Sequence, residues 1–543
     1  MTRVRRFFTN ILKRLYKKAK FIRDNVFGIF HVLYGKRQKK PYQTFKKGVE
    51  RFPENYILNK QLAWLAMEKQ DWQRAVQLWE KVYSLTEKHQ SNVYLKFAEA
   101  LRENNENKKS LNILKAGNAH YSHNQQIIRE IIDLATKQKD WKNIVTYMKS
   151  YFEILQNSHI AFDDFMLLAI SYKELGHFEQ AEDTLERALK NYPHQDMNIQ
   201  KHRIDMLIDK KDWHTAIKRA EKLLHIARDF ECEIKLSMLQ QITGDALSSK
   251  RTFENALAHH ENRLKEDDKG YRKIIVYDNG DSRIELYKKL TLTDSVMVTF
   301  DSINMEWQNP SFAFKLLMRQ NLDIIAIRKR KAKTYQQDLT ETAFVETVSP
   351  LVKGYKDRMS YGFSLGAYNA LYFASRLDCR ILAYSPRLSI HPEFGRVKII
   401  PKFEMKHELI HPYNEDISPV IVYDPQNKLD HKYIQNSVLT SFPQAHIVKI
   451  PYGGHGIAPH LLKMGVLKEF LIKFINGDIP KYDRKLKVKS HIYFNNLGKN
   501  CLLHNKLQWA LDLSERALDI SPNDEQAEKL RNKVLEQLET TQG

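Results

Sequence analysis

The period of the hydrophobic residues changes along this 543-residue chain, and no single-domain fold accommodates the change. Apolar residues recur at helical spacing from about residue 50 to about 265. From about 270 to 480, short β-branched runs alternate with helical stretches, and helical spacing returns beyond 483. Two architectures in series follow: a helical array, then a sheet with helices on both faces. The length suits two to four domains, and 42% hydrophobic and 11% aromatic residues can fill their cores, which excludes wholesale disorder. The pattern divides the chain into a basic segment 1–45, helical repeats 46–268, an α/β domain 269–482 and a C-terminal helical repeat 483–543.

The clearest repeat is Ala169-Ile-Ser-Tyr172, Gly176, Phe178, Ala181, Leu185, Ala188 and Pro193. Small residues fall where two helices cross, a Gly at the turn and a Pro at the end, so the segment resembles a tetratricopeptide array. The same frame fits Ala63, Ala66, Trp72, Ala75, Trp79 and Val82, and again Leu207, Trp213, Ala216, Ala220 and Leu223. It fits more loosely around Trp141, and a late copy is Leu507, Ala510, Ser514, Ala517 and Pro522. Each unit buries its apolar face only against a neighbour. Such an array offers a surface for a protein partner, or serves only as a scaffold. Trp64, Trp72, Trp79, Trp141 and Trp213 are read as packing residues.

In the α/β stretch, strands are expected at Lys273–Tyr277, Val296–Phe300, Asp323–Ile327, Met359–Phe363, Arg380–Tyr384, Val420–Tyr423 and His446–Ile450. Alternation with helices implies a parallel sheet, whose site lies at the carboxyl ends of the strands. After the fourth of these runs comes Gly362-Phe-Ser364-Leu-Gly366, followed by the helix-forming Ala367-Tyr-Asn-Ala-Leu-Tyr-Phe-Ala. Strand, tight turn and helix form the context in which a G-x-S-x-G serine is an exposed nucleophile. His455 stands on a glycine-rich loop just past the last strand, where a general base belongs. Two acids, Asp424 and Asp430, follow the penultimate strand; Asp430, deeper in its loop, is favoured. The segment from Arg387 to Ser418 reads as a lid or substrate wall.

These residues resemble the α/β-hydrolase superfamily. The likeness is carried by Val298-Thr-Phe-Asp-Ser302, Tyr361-Gly-Phe-Ser-Leu-Gly366, Tyr423-Asp-Pro with Asp430, and His455 followed by Leu461-Leu-Lys-Met-Gly-Val-Leu. The layout is similar to hydrolase-fold O-acetyltransferases of bacterial capsule polysaccharides. The resemblance implies an α/β-hydrolase parallel sheet between a tetratricopeptide-like α-solenoid and a C-terminal repeat, with Ser364 attacking an acyl carbonyl. It implies a bacterial cytoplasmic place, or the inner face of the membrane, and a polysaccharide or other hydroxyl-bearing acceptor. No His-Gly pair precedes the expected oxyanion loop; Phe300-Asp-Ser302 stands there, so the backbone N–H groups of Ser302 and Leu365 are the expected oxyanion donors. A carboxylesterase or deacetylase of the same fold, and a non-catalytic adaptor that binds glycan or protein, stay open.

Charge adds two expectations. Arg328-Lys329-Arg330-Lys331-Ala-Lys333 continues a strand whose end faces the site. It is either a rim for a phosphate-bearing donor such as acetyl-CoA, or for an anionic polymer, or a solvated run. No resident cofactor is expected. Cys232, Cys379 and Cys501 lie far apart, against a disulfide framework or a zinc site and for a reducing compartment. Residues 1–40 hold thirteen Lys or Arg and one acid, beside an apolar stripe of Phe7, Phe8, Ile11, Leu12, Leu15, Tyr16 and Ile22. That composition suits an anionic membrane surface, with a capping first helix or a nucleic-acid arm as alternatives. No apolar run reaches the ~20 residues of a membrane span. Deleting residues 1–40 is expected to abolish co-sedimentation with anionic vesicles, at about 1 kcal/mol per basic residue near the surface. Equal sedimentation of the two forms would rule out the membrane role.

Overall fold

The computed structural model describes residues 41–87, 89–155, 160–260, 270–331, 335–395, 405–409 and 416–542. The basic segment 1–40 and Lys333 lie outside the described residues, and so does the membrane-surface expectation. The chain forms two compact units, Met1–Ile199 and Gln200–Gly543.

The first unit is built of antiparallel helix pairs. Tyr56–Glu68 pairs with Trp72–Ser84, Ser91–Glu103 with Asn107–His120, Gln125–Gln138 with Trp141–Leu155, and Phe162–Glu174 with Phe178–Asn191. Ala63, Ala66, Ala75, Ala181 and Ala188 are buried where helices cross, since only a small side chain lets two backbones approach so closely. Asn55, Asp71 and Asn124 cap their helices by accepting a backbone N–H three residues on. Trp79 is fully buried. Trp64 departs from the packing expectation: it is exposed, with its Nε1 on Glu68 and the Lys96 ammonium 5.2 Å above its ring.

The second unit continues the pairs with Trp213–Ile226 and then Phe230–Ile242 with Ala246–His259, before an eight-stranded sheet. The strands are β1 (Tyr271–Asp278), β2 (Ser282–Lys289), β3 (Ser295–Phe300), β4 (Asp323–Lys329), β5 (Asp357–Phe363), β6 (Arg380–Tyr384), β7 (Val420–Tyr423) and β8 (His446–Lys449). Their order is β1-β2-β4-β3-β5-β6-β7-β8. The pairs β1–β2 and β2–β4 are antiparallel and the rest parallel, so the sheet is mostly rather than wholly parallel. The antiparallel β2 is absent from the sequence expectation. Its alternation of polar and apolar residues is that of a strand entered by a tight hairpin, with Gly280 at φ 91° and Asn279 Oδ1 accepting from the N–H of Ser282.

The repeat helices Phe230–Ile242 and Ala246–His259 pack on the sheet within this unit. Glu231 takes Arg272 bidentately at 2.6 and 2.8 Å. Gln241 Nε2 donates to the Leu351 carbonyl at 2.8 Å and to the Tyr355 hydroxyl at 3.0 Å. Beyond the sheet, His491–Leu503, Leu507–Ile520 and Glu525–Gln542 stack with Ala510, Ser514 and Ala517 buried between them. No helix of the described residues is long and apolar enough to cross a membrane. Gln241→Leu keeps volume but leaves the buried Leu351 carbonyl without its donor, so the second unit should lose about 1–3 kcal/mol. Scanning calorimetry should show its transition several degrees lower; an unmoved transition would mean that this seam contributes nothing.

Candidate functional site

Parallel pairing brings the carboxyl ends of five strands into line: Phe300 beside Gly362, Phe363 beside Tyr384, Tyr384 beside Val422, and Tyr423 beside Lys449. Strand order reverses at β3, since β4 lies on one side of it and β5 on the other. A crevice outside the strand ends at such a reversal is where open α/β sheets bind ligands. The loops that meet there carry Ser302, Ser364, Arg387, Asp430 and His455.

Ser364 joins β5 to the helix Leu365–Phe373 with φ 55° and ψ −116°, a conformation that a side chain rarely tolerates. Its N–H bonds the Tyr384 carbonyl at 2.8 Å, and its own carbonyl accepts from Tyr368 at 3.0 Å. The flanking glycines are there for space. A Cβ on Gly362 would stand 2.3 Å from the Gly366 oxygen, and one on Gly366 would stand 2.4 Å from the Phe300 oxygen. β3, the turn and the helix therefore meet backbone to backbone.

The Ser364 hydroxyl lies 2.8 Å from His455 Nε2, and His455 Nδ1 lies 2.8 and 2.9 Å from the two oxygens of Asp430. Asp430 is fully buried at the start of the helix Lys428–Tyr433. Its Oδ1 also receives Arg387 Nη1 at 2.8 Å. Asp424 has a different place. Its carboxylate accepts from the N–H groups of Gln426, Tyr452 and Gly454 at 2.8, 3.0 and 2.8 Å, so the His455 loop curls around it. Burial lifts the Asp424 carboxyl above its usual range, and those three bonds pull it back. Of the two acids, Asp430 meets the imidazole and Asp424 shapes the loop that carries it.

The same loop is held from the far side by the C-terminal repeat. Asn496 Nδ2 donates to the Tyr452 carbonyl at 3.1 Å, and Tyr452, at φ 64°, meets the Tyr493 ring edge-on at 6.0 Å. His460 Nδ1 and the Ser490 hydroxyl are 2.8 Å apart, and burial pushes the imidazole down to about 4, so it stays neutral. Sequence reasoning missed Asn496, Tyr493 and Arg387, for no local pattern ties them to a loop 40 or more positions away.

The basic run that starts at the end of β4 needs correcting at its first two residues. Arg328 and Lys329 are buried and do not stand at a rim. Arg328 Nε bonds Asp301 at 2.6 Å, its Nη1 reaches Glu285 at 3.5 Å, and its Nη2 donates to the carbonyls of Glu306 and Asn309 at 3.0 and 2.6 Å. Lys329 Nζ donates to the carbonyls of Ser302 and Met305. Desolvation lowers this lysine to about 8. The buried carboxylates of Asp301 and Glu285 are the reason these cations turn inward, where they pin the loop 302–309 beside Ser364. Arg330 and Lys331 are exposed. Arg330 lies 6.0 Å from the Trp307 ring, with Arg283 4.1 Å from the same ring.

The described part of the segment 387–418 packs in part on the helix Leu365–Phe373. His407 stacks on Tyr372 at 4.5 Å, its Nε2 meets the Gln336 carbonyl at 3.1 Å, and its carbonyl accepts from the Tyr368 hydroxyl at 3.0 Å. Leu388, Ile390 and Leu409 are buried. No group of three or more His, Cys, Asp or Glu among the described residues could hold a metal ion.

Residues 12–277 match the family model of the tetratricopeptide repeat. The matched stretch takes in the helix pairs described above, and its last residues fall in β1. Among solved structures, the chain is similar to the MamA protein at 12% identity over 31% of this chain and 93% of that one, with a TM-score of 0.26. It is similar to a tetratricopeptide repeat protein from Parabacteroides merdae at 15% identity over 45% and 96%, with a TM-score of 0.25. It is also similar to YrrB, described as a TPR protein with an unusual peptide-binding site, at 12% identity over 28% and 78%, with a TM-score of 0.25. No curated protein matches the chain. The chain therefore carries tetratricopeptide repeats, followed by an α/β domain with a mostly parallel sheet and by C-terminal helices.

Arg328→Met leaves Asp301 and Glu285 buried without their cation, so it should cost about 3–5 kcal/mol. It should also open the loop 302–309 to limited proteolysis. Arg330→Gln, at an exposed position, should leave the melting curve within about 0.5 kcal/mol of wild type. Similar curves for wild type and Arg328→Met would return Arg328 to the surface run read from sequence.

Proposed function

We propose that the α/β domain performs serine-dependent acyl transfer through an acyl-enzyme on Ser364. One observation carries the reading: a hydroxyl at the tip of a strained turn, an imidazole 2.8 Å from it, and a buried carboxylate 2.8 Å from the other ring nitrogen. His455 Nε2 takes the Ser364 proton as Oγ bonds to the acyl carbon, and Asp430 fixes the tautomer and stabilises the imidazolium. The tetrahedral intermediate places its negative oxygen near the backbone N–H of Leu365, at the helix start where no intrahelical partner exists, and near that of Ser302. The imidazolium then protonates the leaving group, and the acyl group stays on Oγ. A second nucleophile, deprotonated by His455, releases it.

That second nucleophile is a hydroxyl of a surface polysaccharide in the reading we favour, with acetyl-CoA as donor, following the resemblance to capsule O-acetyltransferases. Arg330 and Lys331 remain candidates for holding the donor's phosphates. Water as acceptor, making the chain an esterase or deacetylase, is favoured by the inward turn of Arg328 and Lys329, which thins the cationic rim that argued for transfer. The tetratricopeptide array is proposed to bind a protein or peptide partner, and residues 1–40 an anionic membrane surface.

A fluorophosphonate probe should label wild type at Ser364 and fail on Ser364→Ala and His455→Ala, with all three folded. Asp430→Asn should slow turnover of a nitrophenyl acetate about 10³–10⁴-fold by imposing the wrong tautomer. Asp424→Asn should cost less rate and more stability, because it braces a loop. No labelling of folded wild type would leave an adaptor. Transfer to added polysaccharide in excess of release to water would separate acyltransferase from esterase.

A further inference from the structure

We propose that Arg387 is a positioning residue of the site: its guanidinium holds Asp430 against His455 and, by sharing that carboxylate, sets the pH at which the imidazole can act as a base. The inference rests on the acyl-enzyme reading above.

Arg387 is the third residue beyond β6, and its N–H reaches the Ser364 carbonyl at 3.3 Å. Its side chain crosses to the next loop, where Nη1 lies 2.8 Å from Asp430 Oδ1, with 6% and 0% of the two side chains exposed. The same oxygen is 2.9 Å from His455 Nδ1. One residue is thus bonded by its backbone to the nucleophile's turn and by its side chain to the acid. A salt bridge this deep stabilises a fold weakly, because desolvation cancels most of the attraction. What it does without cancellation is change the charge that the imidazole meets.

A proton arriving on His455 meets either a lone carboxylate or a carboxylate already paired with a cation. The first is the better stabiliser, so Arg387 makes the dyad hold a proton less tightly and keeps the base free at lower pH. The other groups packed around the dyad do not replace it. Asp424, after β7, is an acid committed to backbone N–H groups. His431, on the Asp430 helix, faces the Tyr423 hydroxyl at 3.2 Å. His460, on the helix after the His455 loop, is neutral and faces Ser490. Tyr452, on that loop, is turned to Tyr493. Arg387 alone among these is a permanent cation.

The test follows inactivation of the full-length chain by the fluorophosphonate probe from pH 5 to 9, which reports the free base without needing the natural substrate. Removing the cation should move the acid limb upward by about one unit or more in Arg387→Gln, whichever member of the dyad holds the proton. Arg387→Lys, which keeps the charge, should leave the limb close to wild type. Arg387→Met repeats the neutralisation with a side chain of similar length should the Gln variant not fold. A limb that stays in place in a folded neutral variant, even with a slower plateau, would reduce Arg387 to a fastener of two loops and overturn the proposal. A downward move, or a limb displaced equally by Lys and Gln, would overturn it too. Failure of wild type to react at any pH removes the acyl-enzyme reading and this inference together, whereas a reactive wild type with an unmoved limb removes only the second.

Discussion

Backbone meets backbone at Gly366 and Phe300, with no room for a single carbon between them. That contact sets how near the β3 loop can come to the Ser364 turn, and both depend on glycine at 362 and 366. The left-handed φ of Ser364 costs on the order of 1–3 kcal/mol unless its surroundings over-determine it. They do: β5 and the helix Leu365–Phe373 grip it from both ends, and its N–H and carbonyl are both bonded. The strain is local, and the pairing of β3, β5 and β6 absorbs it.

Around that fixed point, buried charges do the work that packing cannot. Loops carry few apolar residues, so a loop that must keep one shape needs directional bonds to its backbone. Arg328 and Lys329 supply donors to four carbonyls of the segment 302–309, and Asp424 supplies an acceptor to two N–H groups of the His455 loop. Arg387 does both, one bond through the main chain and one through the side chain. Charged groups are strong hydrogen-bonding partners, and burial removes the water that would compete for them. The expense is desolvation, visible in the raised carboxyls of Asp301 and Asp424 and in the lowered ammonium of Lys329.

What could be read in the sequence was whatever leaves a short-range mark. The helix pairs show small residues at fixed spacing. The parallel strands show apolar runs because both faces are covered, as in β4, where every residue is buried. The Ser364 turn shows its two glycines. β2 escaped because only part of it is apolar, although Asn279-Gly280 before it was a hairpin signal. The end of β4 was misread because lysine and arginine in a row look solvated, and only the fold brings Asp301 and Glu285 to meet Arg328. The meetings of Asp430 with Arg387 and of Asn496 with Tyr452 are long-range events, whereas that of Asp430 with His455 was expected only through the family resemblance. No pattern within a dozen residues encodes them.

The hold of the C-terminal helices on the His455 loop has a consequence in time. A chain made from its N-terminus completes the sheet, the Ser364 turn and Asp430 before Tyr493 and Asn496 exist. The helices that stack on them, to Gln542, arrive roughly 90 residues after His455, which is on the order of 5–20 s at ribosomal rates. Until then Tyr452 lacks the bond and the ring that steady its left-handed backbone. The nascent protein therefore has the Ser364 turn before it has a steady His455 loop, and the helices from His491 to Gln542 finish the assembly of a candidate site that contains none of their residues.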